Sequence, residues 1–186
     1  HLFLANHDWP SNNVHVWRTP ETDGRWNWAP HDFDFALGRY EDFLLNMNDA
    51  YAEGNGEMVA NLLRNPDFLN TYMNAVADQM NLMTPTRMNQ RLDTLAADMR
   101  PYIADFYAKN GLGGEAQWDA QLDKLRQWFA NRDPVYDRHT REKLNLHNRA
   151  AINVAVNDTR MGSVQVNNLD LAGLMSATDP SWTGKY

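Results

Sequence analysis

The chain has 186 residues, 43% of them apolar, a formal charge of −7 and no cysteine. That length can bury a core within one domain plus a small appendage, and the acidic balance excludes a binder that works by neutralising nucleic-acid or anionic-membrane charge. Disulfides, thiolate chemistry and thiolate-held zinc are excluded too, and no apolar run approaches the ~20 residues of a membrane span.

The first stretch carries the most chemistry. His1 to Ala5 lead into a turn at Asp8, where Pro10 disfavours helix at Trp9. Val14 to Arg18 and Arg25 to Ala29 are rich in β-branched and aromatic residues and flank the turn-forming Glu21-Thr22-Asp23-Gly24, a hairpin pattern. Pairing Val14 with Ala29 and Arg18 with Arg25 makes Asn13 and Pro30 neighbours. The hairpin then carries Asp8 and Asn13 toward Asp32 and Asp34, with Asn12 the other amide close behind Asp8. Three carboxylates converging with an amide repel one another unless a cation sits between them. All the donors are oxygens, so magnesium, manganese or calcium suits the set better than zinc. An ordinary Asx turn at Asp8 and a helix cap at Asp32 or Asp34 are the plainer readings of the same residues.

Beyond the hairpin, Phe33, Phe35 and Leu37 alternate with Asp34 and Ala36, which predicts Phe33 and Phe35 in the core, and Gly38 permits a sharp redirection. Residues 40–54 read as a short helix ended by Gly54-Asn55-Gly56. A capping residue followed by proline then recurs at Asn65-Pro66, Thr84-Pro85 and Asp133-Pro134, each marking a helix start. The helix from Pro66 carries Leu69, Met73, Val76 and Met80 at steps of three and four. The next carries Leu92, Leu95, Met99, Ile103 and Phe106, and residues 115–132 carry Trp118, Leu122, Leu125 and Phe129. Each set predicts a buried stripe, and Pro101 predicts a kink or a division. His139 and His147, eight apart and close to one helical face, read as surface or packing residues, and Arg138, Arg141 and Lys143 as a solvated basic face.

Near Ala150 the period changes to two. Ile152, Val154 and Val156 alternate with polar or small residues, Asp158 to Gly162 turn, Val164-Gln165-Val166 resume, and Asn167-Asn168 suggest a further tight turn. The tail from Ser176 has no assignment. The fold class is therefore mainly α, within α+β: a helical bundle, an N-terminal hairpin carrying the acidic site, and a short C-terminal β segment. Residues 1–149 form the first unit and 150–186 a partial β-rich module, and the look of both termini suggests a stretch of something longer.

The run NHDWPSNNVHVWR, then GRWNWAPHDFDFALG, then LLRNPDF and its succession of helices resembles the CotH kinase family, named for a bacterial spore-coat protein. The resemblance implies the C-terminal lobe of an atypical protein kinase that uses ATP and magnesium and phosphorylates Ser or Thr of a protein substrate. A kinase catalytic loop places Asp five residues before Asn, as Asp8 and Asn13 stand, and a second metal-holding Asp follows a strand pair. By that likeness Asp8 is the catalytic group that orients the hydroxyl, Asn13 and Asp32 are metal ligands, and Asp34 is a further one. No glycine-rich phosphate loop and no strand lysine occur, so the nucleotide-binding lobe is expected elsewhere in the parent protein and this stretch alone is expected to be nearly inactive. The family setting implies a bacterial protein of the spore coat or cell surface. The alternative is a non-catalytic module of an exported protein whose acidic cluster binds calcium. Trp9, Trp17, Trp26 and Trp28 crowd around the site and suit such an interface, with at least one aromatic pair expected to be buried. A two-carboxylate glycosidase ranks last, because no carboxylate stands in an apolar setting.

Overall fold

The structure is a computed structural model describing residues 1–9, 13–21, 24–41 and 55–186. In chain order its elements are β1 (Val14–Trp17), β2 (Asn27–Pro30), α1 (Asn55–Leu62), α2 (Pro66–Leu82), α3 (Pro85–Asn110), α4 (Glu115–Leu144), β3 (Ala151–Ala155), β4 (Gln165–Val166), β5 (Leu169–Asp170) and β6 (Ser181–Lys185). This is the mainly helical α+β class that the periodicity predicts.

The helix ends follow from local chemistry. Asn65 Oδ1 accepts from the Asp67 and Phe68 N–H groups at 2.9 and 3.1 Å, and Pro66 sits where its missing N–H costs nothing. Thr84 caps α3 in the same way through Arg87 N–H, and α3 stops at Gly111, whose φ of 65° favours a residue without Cβ. The third such signal misleads, since Pro134 lies inside the 30-residue α4. Buried Arg132 and Tyr136 flank it on one face, and their packing holds the helix through the lost hydrogen bond. Pro101 does not divide α3 either, because Ala96 and Ile103, on either side of it, pack on Trp118 and Leu122 of α4. Asn55 and Gly56 open α1 instead of closing a helix. The helix expected over 40–54 falls, from residue 42 onward, outside the described residues. His147 lies beyond the αL cap at Asn145, so it shares no helical face with His139.

The β1–β2 hairpin is antiparallel, but its register is Val14↔Pro30, His15↔Ala29, Val16↔Trp28 and Trp17↔Asn27. The pairing of Val14 with Ala29 predicted from the sequence is one residue out. Gly24 N–H donates to Glu21 O at 2.9 Å as the expected turn requires, but the strands pair only up to Trp17 and from Asn27, too far from that turn for it to set the register. A one-residue slip exchanges the faces of the hairpin, and here it puts Val16 and Trp28 together on one side.

Two clusters make the core. Phe3, Ala5, Val76, Met80, Trp128, Phe129 and Tyr136 form one, and Ala96, Ile103, Trp118 and Leu122 the other. Val76 and Met80 of the α2 stripe end in these clusters, while Leu69 and Met73 stay half-buried outside them. The α4 stripe ends in them as its spacing predicts. The α3 stripe does not: it turns its Ala96–Ile103 edge to α4 and leaves Leu95, Met99 and Phe106 exposed. Phe33 and Phe35, expected in the core, are exposed as well.

In the C-terminal part β3 pairs with β6, from Ala151↔Lys185 to Ala155↔Ser181, and not with the 164–166 strand. The latter pairs with β5 across Asn167-Asn168, a tight turn in which Asn167 takes a φ of 49°. The end of β6 docks on α2. Asn81 exchanges two hydrogen bonds with the Lys185 backbone, and the Tyr186 hydroxyl donates to Asp78. Burial first, and then the bond to the Asp78 carboxylate and its charge, push the Tyr186 pKa up, so that hydroxyl stays a donor.

One buried charge joins the N-terminal turn to the helices. Arg132 is fully out of solvent, and its guanidinium donates to the carbonyls of Phe3 (2.7 Å), Tyr40 (2.6 Å) and Leu2 (2.8 Å) while lying 5.6 and 5.1 Å from the Trp128 and Tyr136 ring centroids. Replacing it with Met leaves three carbonyls without their donor. Arg132→Met is expected to lower stability by on the order of 3–5 kcal/mol in urea unfolding. A loss below about 1 kcal/mol would show that other groups satisfy those carbonyls.

Candidate functional site

The acidic residues are placed by two backbone segments laced together. His7 N–H donates to Phe35 O at 3.3 Å, Leu37 N–H donates to Leu4 O at 2.9 Å, and His31 N–H donates to Asn13 O at 3.1 Å, extending the hairpin ladder past β1 and β2. The two segments therefore run side by side, with Asp8 and Asn13 on one and Asp32 and Asp34 on the other. Asn6, wholly buried, clamps them. Its Oδ1 accepts from Asp8 N–H at 3.1 Å, and its Nδ2 donates to Asp32 O at 2.9 Å. One amide thus fixes both the catalytic-loop candidate and the carboxylate segment facing it.

Asp8 and Asn13 meet directly. Asn13 Nδ2 donates to Asp8 Oδ2 at 2.9 Å, from a side chain only 7% exposed. The bond uses the amide's nitrogen and leaves Asn13 Oδ1 as the atom with which this residue could hold a cation. Asn13 and Asp32 both take left-handed backbone, with φ of 61° and 48°. Such residues cost on the order of 1 kcal/mol each and persist where the surroundings over-determine them, which the Asn6 clamp and the lacing do here.

Asp32 and Asp34 are exposed neighbours, and Asp32 Oδ1 accepts from Asp34 N–H at 3.4 Å. The Asp34 carboxyl is held above its ordinary pKa. Loss of hydration is the first cause, the charge and hydrogen bond of Asp32 come next, and the Asp8 charge adds to them, against a lowering bond from Phe35 N–H. The repulsion expected of converging carboxylates is therefore present, and Asp34 feels both of the others.

The four residues singled out by sequence thus gather as two linked pairs. A closed cage is absent: among the described residues, no three His, Asp or Glu side chains stand together in a group that could hold a metal ion. The donor chemistry fits a hard divalent ion, with carboxylate oxygens from Asp8, Asp32 and Asp34 and an amide oxygen from Asn13. Asn12, the other amide of the turn, lies outside the described residues.

Sequence reasoning passes over Asn6, whose only signal is a polar residue placed two before Asp8, and Arg132, hidden in an otherwise polar stretch of α4. It also passes over the His15–His31 ring contact, 4.6 Å between centroids, beside Asn13. The aromatic residues behave differently from expectation: Trp17, Trp26 and Trp28 are all exposed, so the aromatic pair expected to be buried is not. Trp9, Val16, Trp26 and Trp28 instead line an open apolar hollow of about 770 Å³ together with Met58, Val59, Leu62 and Phe68.

A family model described as CotH kinase protein matches residues 1–136, a span that includes Asn6, Asp8, Asn13, Asp32, Asp34 and Arg132. No curated protein and no solved structure matches the chain.

The Asp34 shift gives a direct check. An acid whose folded pKa lies above its unfolded one binds more protons in the native state, so Asp34 lowers stability once pH rises through its raised pKa, and that cost vanishes as pH falls below the ordinary aspartate value. Carbon-detected NMR titration is expected to find Asp34 titrating high, and Asp32→Asn to bring it down. An unmoved Asp34 in that variant would mean the two carboxylates do not share one field.

Proposed function

The chain belongs to the CotH kinase protein family, and from that premise we propose that residues 1–38 form the catalytic-loop and metal-holding half of a phosphotransfer site acting on Ser or Thr hydroxyls. The family is kinase-like, which implies use of ATP and a divalent metal in general, and a protein substrate. The observation that carries the finer reading is the Asn13–Asp8 hydrogen bond across the five-residue spacing, with Asn6 tying Asp32 to the same turn. In this reading Asp8 uses its second carboxylate oxygen to orient the substrate hydroxyl and take up its proton. Asn13 Oδ1 and the Asp32 carboxylate hold magnesium, with manganese or calcium as substitutes, and Asp34 adds a further oxygen. Bound magnesium supplies the positive charge that the transferring phosphoryl oxygens require. The neighbouring charges that raise Asp34 then become the attraction that holds the ion.

Residues 1–149 are proposed as the kinase-like lobe and 150–186 as a β-rich module docked on α2 through Asn81 and Asp78. The family's spore-coat association supports an exported setting, in the coat or at the cell surface. A second reading, a non-catalytic module binding calcium through the same acidic pair, is favoured by the open arrangement of the carboxylates and by the exposed tryptophans.

Two measurements separate the readings. Manganese binding followed by electron paramagnetic resonance is expected to weaken in Asp32→Asn and to persist in Asp8→Asn. Transfer of radiolabelled γ-phosphate by the longest natural protein carrying this sequence is expected to fall about 10²–10⁴-fold in Asp8→Asn, the range for losing a general base. Equal transfer by both forms removes Asp8 from the chemistry, and manganese binding without any transfer supports the calcium module.

A further inference from the structure

Helix α3 carries an apolar row that is exposed among the described residues. Leu95, Met99, Tyr102 and Phe106 are 60%, 52%, 72% and 52% exposed, on a helix whose other edge, Ala96 and Ile103, is buried against α4. Scattered exposed apolar residues need no explanation, but a continuous row of four does. The spacing is also not that of a surface helix in general. Met88, Leu92, Leu95, Met99, Tyr102 and Phe106 follow alternating steps of four and three, the 3.5-residue repeat of a helix that pairs with another helix along a seam. The first two residues of the row reach the core and the last four face solvent, a length of about 17 Å at 1.5 Å per residue.

We infer that this row is the contact surface for α3 of a second copy of the chain, running antiparallel. The charges beside the row select both the occupant and the orientation. On the edge away from α4 stand Arg91, Asp98 and Asp105, all exposed and spaced by seven. An antiparallel dyad near residue 98 sets Arg91 of each copy opposite Asp105 of the other, a carboxylate that also holds Lys109 of its own helix at 2.7 Å. These two complementary contacts outnumber the one Asp98–Asp98 repulsion at the axis. A parallel pair would instead set Arg91 against the Ala96–Ile103 edge, which carries no charge and is already packed on α4. The antiparallel arrangement also opposes the two helix dipoles and puts both copies of α4 on the same side of the seam, so that α3 and α4 of two chains form two stacked pairs of helices. Salt bridges from Arg100 to Asp119 and from Arg126 to Asp93 lie on the α4 side of α3 and are left intact.

Sedimentation equilibrium of the 186-residue chain over a concentration series is the test. The chain is expected to show a monomer–dimer equilibrium, and Leu95→Glu with Tyr102→Glu to weaken it by about 10²-fold or more, with unchanged circular dichroism because both side chains are exposed. Arg91→Asp alone and Asp105→Arg alone are each expected to weaken the dimer, and the double charge swap to restore it to within about threefold, since the pairs are then re-formed in reverse. A chain that stays monomeric up to about 1 mM, where even a weak complex is populated, overturns the inference. So does a dimer indifferent to Leu95→Glu and Tyr102→Glu, and a double swap that fails to recover association overturns the antiparallel pairing.

Discussion

The guanidinium of Arg132 is the constraint on which the rest of this structure hangs. A cation removed from water must keep its donors engaged, and here they reach main-chain oxygens at Leu2, Phe3 and Tyr40. Those carbonyls bracket the acidic site. Two precede Asp8, and the third follows Asp34, so one side chain on the long α4 holds both ends of a segment that has little regular structure of its own. Trp128 and Tyr136, one turn to either side of Arg132, supply aromatic faces to the same cation and the apolar bulk that packs Phe3.

Given that anchor, the site can tolerate arrangements that would not persist alone. Left-handed Asn13 and Asp32, a raised Asp34 carboxyl and the buried amide of Asn6 each carry a cost or a strict geometric demand. They are affordable together because the backbone lacing between residues 4–7 and 35–37 fixes the distance between the segments before any side chain is placed. The result is oxygen atoms preorganised against their own repulsion, the electrostatic condition a cation relieves.

How much of this is legible in the sequence depends on whether the determinant is local. Asn65-Pro66 and Thr84-Pro85 start helices because capping is settled within three residues, and the αL turn at Asn167 is equally self-contained. The five-residue step from Asp8 to Asn13 is local too, and their contact follows from it. Asp133-Pro134 has the same letters as a helix start, but the burial of Arg132 and Tyr136 decides that case from a distance. The hairpin register escaped because the paired strands stop at Trp17 and resume at Asn27, several residues away from the Glu21–Gly24 turn bond, so the turn does not dictate the pairing. The α3 stripe shows a similar limit: periodicity identifies an apolar face, while what the face meets depends on which neighbour arrives first, and α4 takes the adjacent edge. Asn6 and Arg132 carry no readable pattern, since the bonds by which they join segments reach Asp32, 26 residues from Asn6, and Phe3, 129 residues from Arg132.

That Arg132 donates to backbone carbonyls at three positions has a bearing on how the family can vary. Every residue type offers the same oxygen at positions 2, 3 and 40, so no compensating exchange at those positions follows from a change elsewhere. A map of correlated substitutions would carry no trace of these three contacts, although they hold the N-terminal turn to α4.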